Sequence, residues 1–266
     1  MARMLAGPGG LRNTNREVPG VRRLARLLGI ALALAITPTV ALTLLTEENP
    51  PFNYTDDGRI VGSATEIVAA IVKEAGLPVR QEMLPWDTAF RRAQAERDTC
   101  VFATARLENR ERLFLWVGPL ANSYWGVFAR GGFAQPIRSL ADLKPYRVGG
   151  VVNDAKIEYL QENNITNTKA LAEDRFNPPR LMLPPEDPNH IDLWITNLYA
   201  APTVAKSARV TDVKLVFVAR EVPVYLACSP QTSPTIIKAL TDAFDQVNAR
   251  GLPARVVAEY EKKFGH

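Results

Sequence analysis

Residues 42–62 read LTLLTEENPPFNYTDDGRIVG and set the pattern for the rest of the chain. The first five residues are apolar or β-branched and predict a short buried strand. Two glutamates, two prolines and two aromatic residues follow, and Asp57-Gly58 predicts a hairpin turn. The segment after the strand is therefore either an ordinary surface turn or one wall of a ligand site.

Strand and helix patterns alternate after this stretch. They predict an amphipathic helix over residues 64–75, a strand at PVRQEML, a helix from Pro85 and a strand at TCVFATA. The alternation restarts at YRVGGVV and ends in two helices. We interpret LENRERLFLWVGPL as a turn with an exposed segment, and SYWGVFAR, VKLVFVA and VPVYLACS as separate strands. Strands that alternate with helices favour parallel sheets covered by helices, so we predict two α/β units.

Residues 1–41 have the order of a cleavable secretory signal peptide: six arginines with a single acid, then the apolar run LLGIALALAITPTVA, which ends in small residues. The alternative is an uncleaved anchor, although the run is short for a membrane-spanning helix. Cleavage would leave a periplasmic chain with 26 basic and 27 acidic residues, against 32 and 28 in the whole sequence. This balance gives no reason to expect nucleic acid or an anionic membrane as a partner.

The predicted mature sequence contains few patterns typical of enzymes. Its two cysteines, Cys100 and Cys228, have no clustered histidines with which to form a zinc site. The two histidines lie in a proline-rich loop and at the C-terminus, where they cannot complete a Ser-His-Asp set, and no phosphate-binding glycine loop is present. We therefore expect no cofactor and no metal. Candidate acids or bases for catalysis are Glu47, Glu48 and Asp192.

Three segments resemble the bacterial extracellular solute-binding proteins of family 3: TEENPPFNYTDDGRIVG, then LPW before a helix, then TCVFATARLENRERLFLWVGPL. The resemblance implies the type II periplasmic binding protein fold. In that fold two α/β lobes, each a mostly parallel sheet flanked by helices, are joined by a double-strand hinge. The resemblance places lobe 1 in residues 42–124 and 225–266 and lobe 2 in residues 125–224.

The same resemblance implies a monomeric periplasmic receptor. Such a receptor captures a small amino-acid-like or carboxylate-bearing ligand between its lobes and delivers it to the permease of a membrane ABC importer. It binds its ligand and does not act as an enzyme. Two alternatives stay open: an enzyme on the same scaffold, similar to cyclohexadienyl dehydratase, and a ligand-sensing subunit for a membrane receptor.

In the amino-acid receptors of this family an arginine after the third strand binds the ligand carboxylate, and Arg110 takes that place here. A guanidinium presents parallel N–H donors that match a carboxylate. The alternative is a surface arginine paired with Glu108 or Glu111. Arg106 in the same loop is a second candidate for an anion. Leu107 departs from the family, which usually has Thr or Ser there.

Many family members hold the ligand ammonium with an aspartate at the start of a second-lobe helix, whereas Asn197 takes that position here. Either Glu47 or Glu48 supplies the negative charge instead, or the ligand is not a simple α-amino acid. Asp154 starts another helix, where an N-cap role is favoured over a ligand contact. The other expected ligand-binding residues lie near strand exits: Phe52, Tyr54, Trp86, Thr104 and Tyr124.

The resembling fold also suggests a partner for each cysteine. In that fold the strand after the second crossover runs antiparallel beside the third strand of lobe 1. Cys228 and Cys100 would then be neighbours at the end of lobe 1 that lies away from the hinge. An oxidising compartment permits a disulfide between them, and the alternative is two buried free thiols.

Overall fold

The computed structural model describes residues 41–264. Apart from Ala41, the expected signal peptide of residues 1–41 lies outside the described residues. No helix within residues 41–264 has the length and apolar character needed to cross a lipid bilayer.

Ten strands and seven α-helices are formed within residues 41–264. The strands are β1 (Leu42–Thr46), β2 (Tyr54–Asp56), β3 (Arg59–Val61), β4 (Val79–Met83), β5 (Thr99–Ala105), β6 (Leu115–Arg130), β7 (Val148–Val151), β8 (Thr168–Leu171), β9 (Leu193–Asn197) and β10 (Val213–Cys228). The helices are α1 (Ser63–Glu74), α2 (Trp86–Ala95), α3 (Ala155–Glu162), α4 (Asn177–Leu181), α5 (Ala201–Ser207), α6 (Pro234–Ala249) and α7 (Leu252–Phe264).

One eight-stranded sheet runs through the molecule in the order β4-β1-β5-β10-β6-β9-β7-β8. β4, β1 and β5 are parallel at one side of it, and β9, β7 and β8 are parallel at the other. β10 and β6 lie antiparallel in the middle. The β2–β3 hairpin is separate and turns at the predicted Asp57-Gly58. The mixed α/β fold with helices flanking a mostly parallel sheet confirms the predicted fold class.

The two central strands differ from the sequence-based expectation. β6 and β10 have 16 residues each, and their ladder runs from Val213 beside Arg130 to Cys228 beside Leu115. We expected VKLVFVA and VPVYLACS as separate strands, and a turn with an exposed segment where β6 begins. The first expectation is wrong, because both segments belong to β10, and backbone hydrogen bonds between β6 and β10 join all the parallel strands into one sheet. The second is right about exposure, since Leu115 is 36% exposed, but the segment is a strand and not a turn.

Different apolar clusters lie on either side of this central pair, and smaller ones span it. We call residues 42–124 and 225–264 the first half, and residues 125–224 the second half. In the first half Ile67 and Ile71 of α1 pack in a cluster with Leu240 and Phe244 of α6, so the C-terminal helices cover the N-terminal strands. In the second half a different cluster packs α3 and its flanking segments against β7 and β9.

A disulfide joins Cys100 at the start of β5 to Cys228 at the end of β10. Both cysteines are fully buried, and the strand register places them side by side. The bond ties the returning C-terminal segment to β5 across a sequence separation of 128 residues. It lies at the opposite end of β5 from the junction with the second half.

Candidate functional site

The parallel strands of both halves end at the junction between them. β1 ends at Thr46 and β5 at Ala105, while β7 ends at Val151 and β9 at Asn197. In open α/β sheets, ligands bind outside the carboxyl ends of the strands. The junction contains a wide cavity of about 540 Å³ and a narrow cavity of about 20 Å³, each with walls from both halves.

The wide cavity lies between the exit of β1 and the segment that follows β8. Its volume falls within the roughly 300–1,000 Å³ that is usual for small-molecule sites. Four carboxylates and three aromatic residues are among those that line it: Glu47, Glu48, Glu173, Asp174, Tyr54, Trp86 and Phe264. The exit of β1 is therefore a wall of this cavity.

The narrow cavity lies deeper in the junction and shares two residues with the wide one. It is lined by charged and aromatic side chains that include Glu47, Trp86, Arg110, Trp125, Asp154 and Lys156. At about 20 Å³ it has room for a water molecule. An amino acid does not fit there in this arrangement of the halves.

Arg110 faces the junction, and its side chain is 1% exposed. Its Nε donates to Glu158 Oε2 at 2.9 Å, and its Nη2 donates to Glu158 Oε1 at 2.5 Å and to the Asn153 carbonyl at 2.9 Å. The guanidinium carbon lies 4.7 Å from the centre of the Phe90 ring. Glu158 of the second half thus occupies the bidentate face that the sequence suggested for a ligand carboxylate. Nη1 is buried and has no hydrogen-bond partner among residues 41–264.

Asn153 forms further hydrogen bonds with the first half across the junction. Its carbonyl also accepts a hydrogen bond from Trp86 Nε1 at 2.9 Å, and its Nδ2 donates to Asp87 Oδ1 at 2.5 Å. Its positive φ of 57° turns the chain just before α3, so that the carbonyl is accessible to the first half. Together with Arg110 and Glu158, these bonds hold the two halves against each other.

Asp154 and Lys156 form a buried ion pair at the start of α3. Asp154 is the N-cap and accepts from the Lys156 backbone N–H at 2.7 Å and from Lys156 Nζ at 2.9 Å. Burial disfavours the charged lysine, but Asp154 and Glu47 outweigh this effect and raise the pKa of Lys156. The N-cap interpretation of Asp154 matches this geometry, and a cation that the sequence did not indicate is held beside it.

Glu47 lies where the two cavities meet. Burial, together with the nearby charges of Asp154 and Asp174, raises the pKa of Glu47 to about 8, against the opposing effect of Lys156 and Arg110. At neutral pH its carboxyl therefore keeps its proton in this arrangement. A carboxyl with this shift at a junction of strand ends is typical of a functional site.

The other acids of the wide cavity are held by hydrogen bonds. The Glu48 carboxylate accepts from the Thr55 backbone N–H at 3.0 and 3.2 Å, which fixes it to the hairpin. Asp174, after β8, accepts from Trp194 Nε1 at 2.7 Å, from Asn177 Nδ2 at 3.1 Å and from the Thr196 hydroxyl. Burial raises the pKa of Asp174 despite these donors.

Several expected ligand-binding residues lie outside both cavities. Arg106 forms an ion pair with the Glu111 carboxylate, with its Nε at 2.7 Å from Oε2, and stacks over the Tyr225 ring. Phe52, 3% exposed, packs in the core of the first half. Thr104 Oγ1 donates to the Val101 carbonyl at 3.3 Å. These side chains have structural partners of their own.

Two more of the expected residues lie beside the cavities. The Tyr124 ring packs edge-to-face on Tyr199 at 5.5 Å. Asn197 Oδ1 accepts from the Tyr199 backbone N–H at 3.0 Å, and its Nδ2 contacts Asn49 Oδ1 of the first half at 3.4 Å. Asn197 thus joins the halves in this arrangement.

Asp192 lies at the start of β9, at the opposite end of that strand from the junction. It accepts from the Arg147 backbone N–H at 2.8 Å and bonds His190 Nε2 at 3.1 Å. These bonds lower the pKa of Asp192 against the effect of its partial burial. Asp192 is therefore not a candidate acid or base for chemistry at the junction, which leaves Glu47 and Glu48 of the three acids considered.

Sequence reasoning missed Lys156, Glu158 and Asp174. Lys156 and Glu158 lie two and four residues after Asp154, in the first turn of the predicted helix. Side chains of the same helical turn lie close together, so the predicted position of Asp154 near the ligand site also indicated these two charged residues. Asp174 follows β8, a strand that we did not predict, and its position gave no signal.

Comparison with known proteins identifies relatives of this arrangement. A sequence model of the bacterial extracellular solute-binding proteins, family 3, matches residues 42–263. No curated protein sequence matches the chain.

Many solved structures share the fold. The arginine-, lysine-, histidine-binding protein ArtJ from Geobacillus stearothermophilus is 17% identical, with a TM-score of 0.70 over 85% of this chain and 96% of its own. A histidine kinase sensor domain with similarity to periplasmic binding proteins is 17% identical, with a TM-score of 0.73 over 83% and 95%. The ancestral amino acid-binding protein AncCDT-1, a precursor of cyclohexadienyl dehydratase, is 16% identical, with a TM-score of 0.66 over 83% and 94%. Likeness at these identities shows the fold alone.

Proposed function

Because the chain belongs to the bacterial extracellular solute-binding proteins, family 3, we propose that it is a monomeric periplasmic receptor that captures a small solute between its halves for a membrane ABC importer. The observation that carries the proposal is the wide cavity of about 540 Å³, whose walls come from both halves at the carboxyl ends of the parallel strands. The signal peptide predicted from residues 1–41 would bring the protein to that compartment.

Closure would occur by bending of β6 and β10, with the two halves acting as lobes. The register of their ladder shifts between Val218 and Arg220 and again between Val224 and Leu226, on either side of the middle. Such irregularities weaken the ladder locally and bend strands. The bonds from Arg110 and Trp86 to the second half would hold the closed form.

The ligand would be amino-acid-like, with its cationic end against Glu47. Relatives in fold bind arginine, lysine and histidine, by their descriptions, and an ancestral arginine-binding protein is 21% identical to this chain. Of the two glutamates considered for the ammonium, Glu48 is fixed to Thr55, whereas Glu47 lies at the base of the cavity.

Thermal unfolding of the purified protein against amino acids, polyamines, organic acids and aromatic acids tests this function. A ligand that binds only the folded form at 100 times its Kd stabilises it by about 2.7 kcal/mol. We expect one class to raise the unfolding temperature and to be recovered unchanged. A panel in which no class raises it would contradict the proposal.

An enzyme on this scaffold is the second candidate, and the observation that favours it is Glu47. A carboxyl with a pKa raised to about 8 can donate a proton at neutral pH. Conversion of a bound compound, lost in the Glu47→Gln variant, would replace the receptor proposal with this one. A sensing role would instead show as unchanged uptake of the bound ligand in cells that lack this protein.

A further inference from the structure

We propose that the wide cavity takes an organic cation without a carboxylate group, an amine or guanidinium compound in preference to the corresponding α-amino acid. The inference rests on the proposed solute-binding function and narrows its ligand class. It depends on which charged groups at the junction already form ion pairs within the protein, and which have no such partner and could pair with a ligand.

The wall of the wide cavity is strongly acidic. Glu47, Glu48, Glu173 and Asp174 face a single basic wall residue, Arg175. Arg175 is exposed, forms an ion pair with Glu173 at 3.0 Å and stacks over Phe176. Arg175 is thus already paired, so the residues that line this cavity offer a ligand carboxylate no free positive charge.

The buried cations of the junction do not line the wide cavity, and each forms an ion pair. Arg110 bonds Glu158 through two nitrogens, and Lys156 bonds Asp154 at 2.9 Å. The remaining nitrogen of Arg110, Nη1, is buried and has no hydrogen-bond partner within residues 41–264. To take the bidentate face of Arg110, a ligand carboxylate would have to displace Glu158, which also accepts from Asn109 Nδ2 at 3.1 Å. A carboxylate therefore competes with Glu158 for Arg110, whereas a cation has no such competitor in the wide cavity.

Of the four carboxyls that line the wide cavity, Glu47 is the one that receives no hydrogen bond and forms no ion pair within residues 41–264; Lys156 and Arg110 act on it through their charges alone. None of the hydrogen bonds formed within residues 41–264 ends on its carboxyl, although it lies at the base of the wide cavity. An ammonium or guanidinium placed there would supply the missing donors and the compensating charge. Trp86 lines the same wall, and an indole ring attracts organic cations.

Matched pairs of ligands separate this inference from the broader function. Isothermal titration calorimetry at pH 8 would compare arginine with agmatine, lysine with cadaverine and tyrosine with tyramine. The members of each pair share a side chain and differ in the carboxylate. We expect at least one amine to bind at least tenfold more tightly than its amino acid.

An amino acid that binds as tightly as its amine, or more tightly, overturns the inference and leaves the solute-binding function in place. The same holds if none of the six compounds binds while the thermal panel identifies an acid. If no compound binds in either experiment, both proposals fail.

Variants at Glu47 locate the cation. Glu47→Gln should remove the preference for the amine, and Glu47→Asp should retain part of it because the charge is kept. Glu186→Gln, an exposed acid in the proline-rich loop, removes the same charge and should bind as the parent does. If a folded Glu47→Gln protein still preferred the amine to the same degree, the assignment of the cation to Glu47 would be wrong. The comparison of ligand pairs uses the parent protein, so it stands even if a variant fails to fold.

Discussion

The disulfide end of the first half and the junction between the halves are both buried, but they are stabilised by different chemistry. Near Cys100 and Cys228 an apolar cluster is joined by a covalent bond, and the buried polar side chains beside it, such as Asp98 and Ser229, accept hydrogen bonds from backbone N–H groups. At the junction Arg110, Asp154 and Lys156 are at most 9% exposed and are held by charge pairs. Apolar burial is stable without a ligand, whereas buried charges must offset their desolvation. Stability and ligand response should therefore be separable by mutation.

The largest effect is expected at the disulfide end. Replacement of Cys100 and Cys228 by alanine removes a cross-link over 128 residues, so the free energy of unfolding should fall by about 4–5 kcal/mol by the chain-entropy model. Ligand affinity should change less than twofold. Urea denaturation with calorimetry measures both, and the parent protein unfolded in reductant is the control. A large loss of ligand affinity in this variant would contradict the claim that stability and ligand response can be changed separately by mutation.

Lys156→Met should have the next largest effect, because it leaves Asp154 buried without its partner. Removing one member of a buried pair costs about 3–5 kcal/mol. The loss should be greater at pH 8 than at pH 5, because Glu47, with its pKa raised to about 8, takes up a proton as the pH falls and reduces the negative charge that Lys156 balances. Denaturation of this variant beside Lys238→Met, at an exposed ion pair, tests the claim. Equal losses at both pH values would contradict it.

A smaller effect is expected at the bonds that hold the halves together. Arg110→Ala should weaken ligand binding by roughly 1.5–3 kcal/mol, the range for a charge-assisted hydrogen bond. If Arg110 acts by bonding Glu158, then Arg110→Ala and Glu158→Gln should not add in a double-mutant cycle. Additive losses of affinity would show instead that Arg110 contacts the ligand directly.

The sequence predicted the fold better than the site. Helix and strand periodicity, and the resemblance carried by residues 46–62, were enough for the α/β fold class and the cysteine neighbourhood. The unbroken β6 and β10 were not predicted. Their continuation from one half to the other depends on pairing between distant segments, and a local sequence pattern does not show whether two short strand signals belong to one strand.

At the site, residue type and position after a strand identified Glu47, Trp86 and Arg110 as residues of the junction. They could not reveal that the Glu158 carboxylate binds the Arg110 guanidinium, or that the Phe52 side chain packs in the core. Such pairings depend on contacts between distant segments, which local patterns do not encode.

The central claim is that Glu47 keeps its proton in the free protein at neutral pH and releases it when a cation binds. With its pKa raised to about 8 by burial, the carboxyl is protonated at pH 7 and ionised at pH 9.5. A cation that lowers this pKa well below 7 should release close to one proton per ligand at pH 7, where the amine itself is fully protonated. Calorimetry of the tightest-binding amine in two buffers of different ionisation enthalpy measures this number. The account predicts about one proton at pH 7 for the parent protein and none for Glu47→Gln, and binding with no proton release at pH 7 would contradict it.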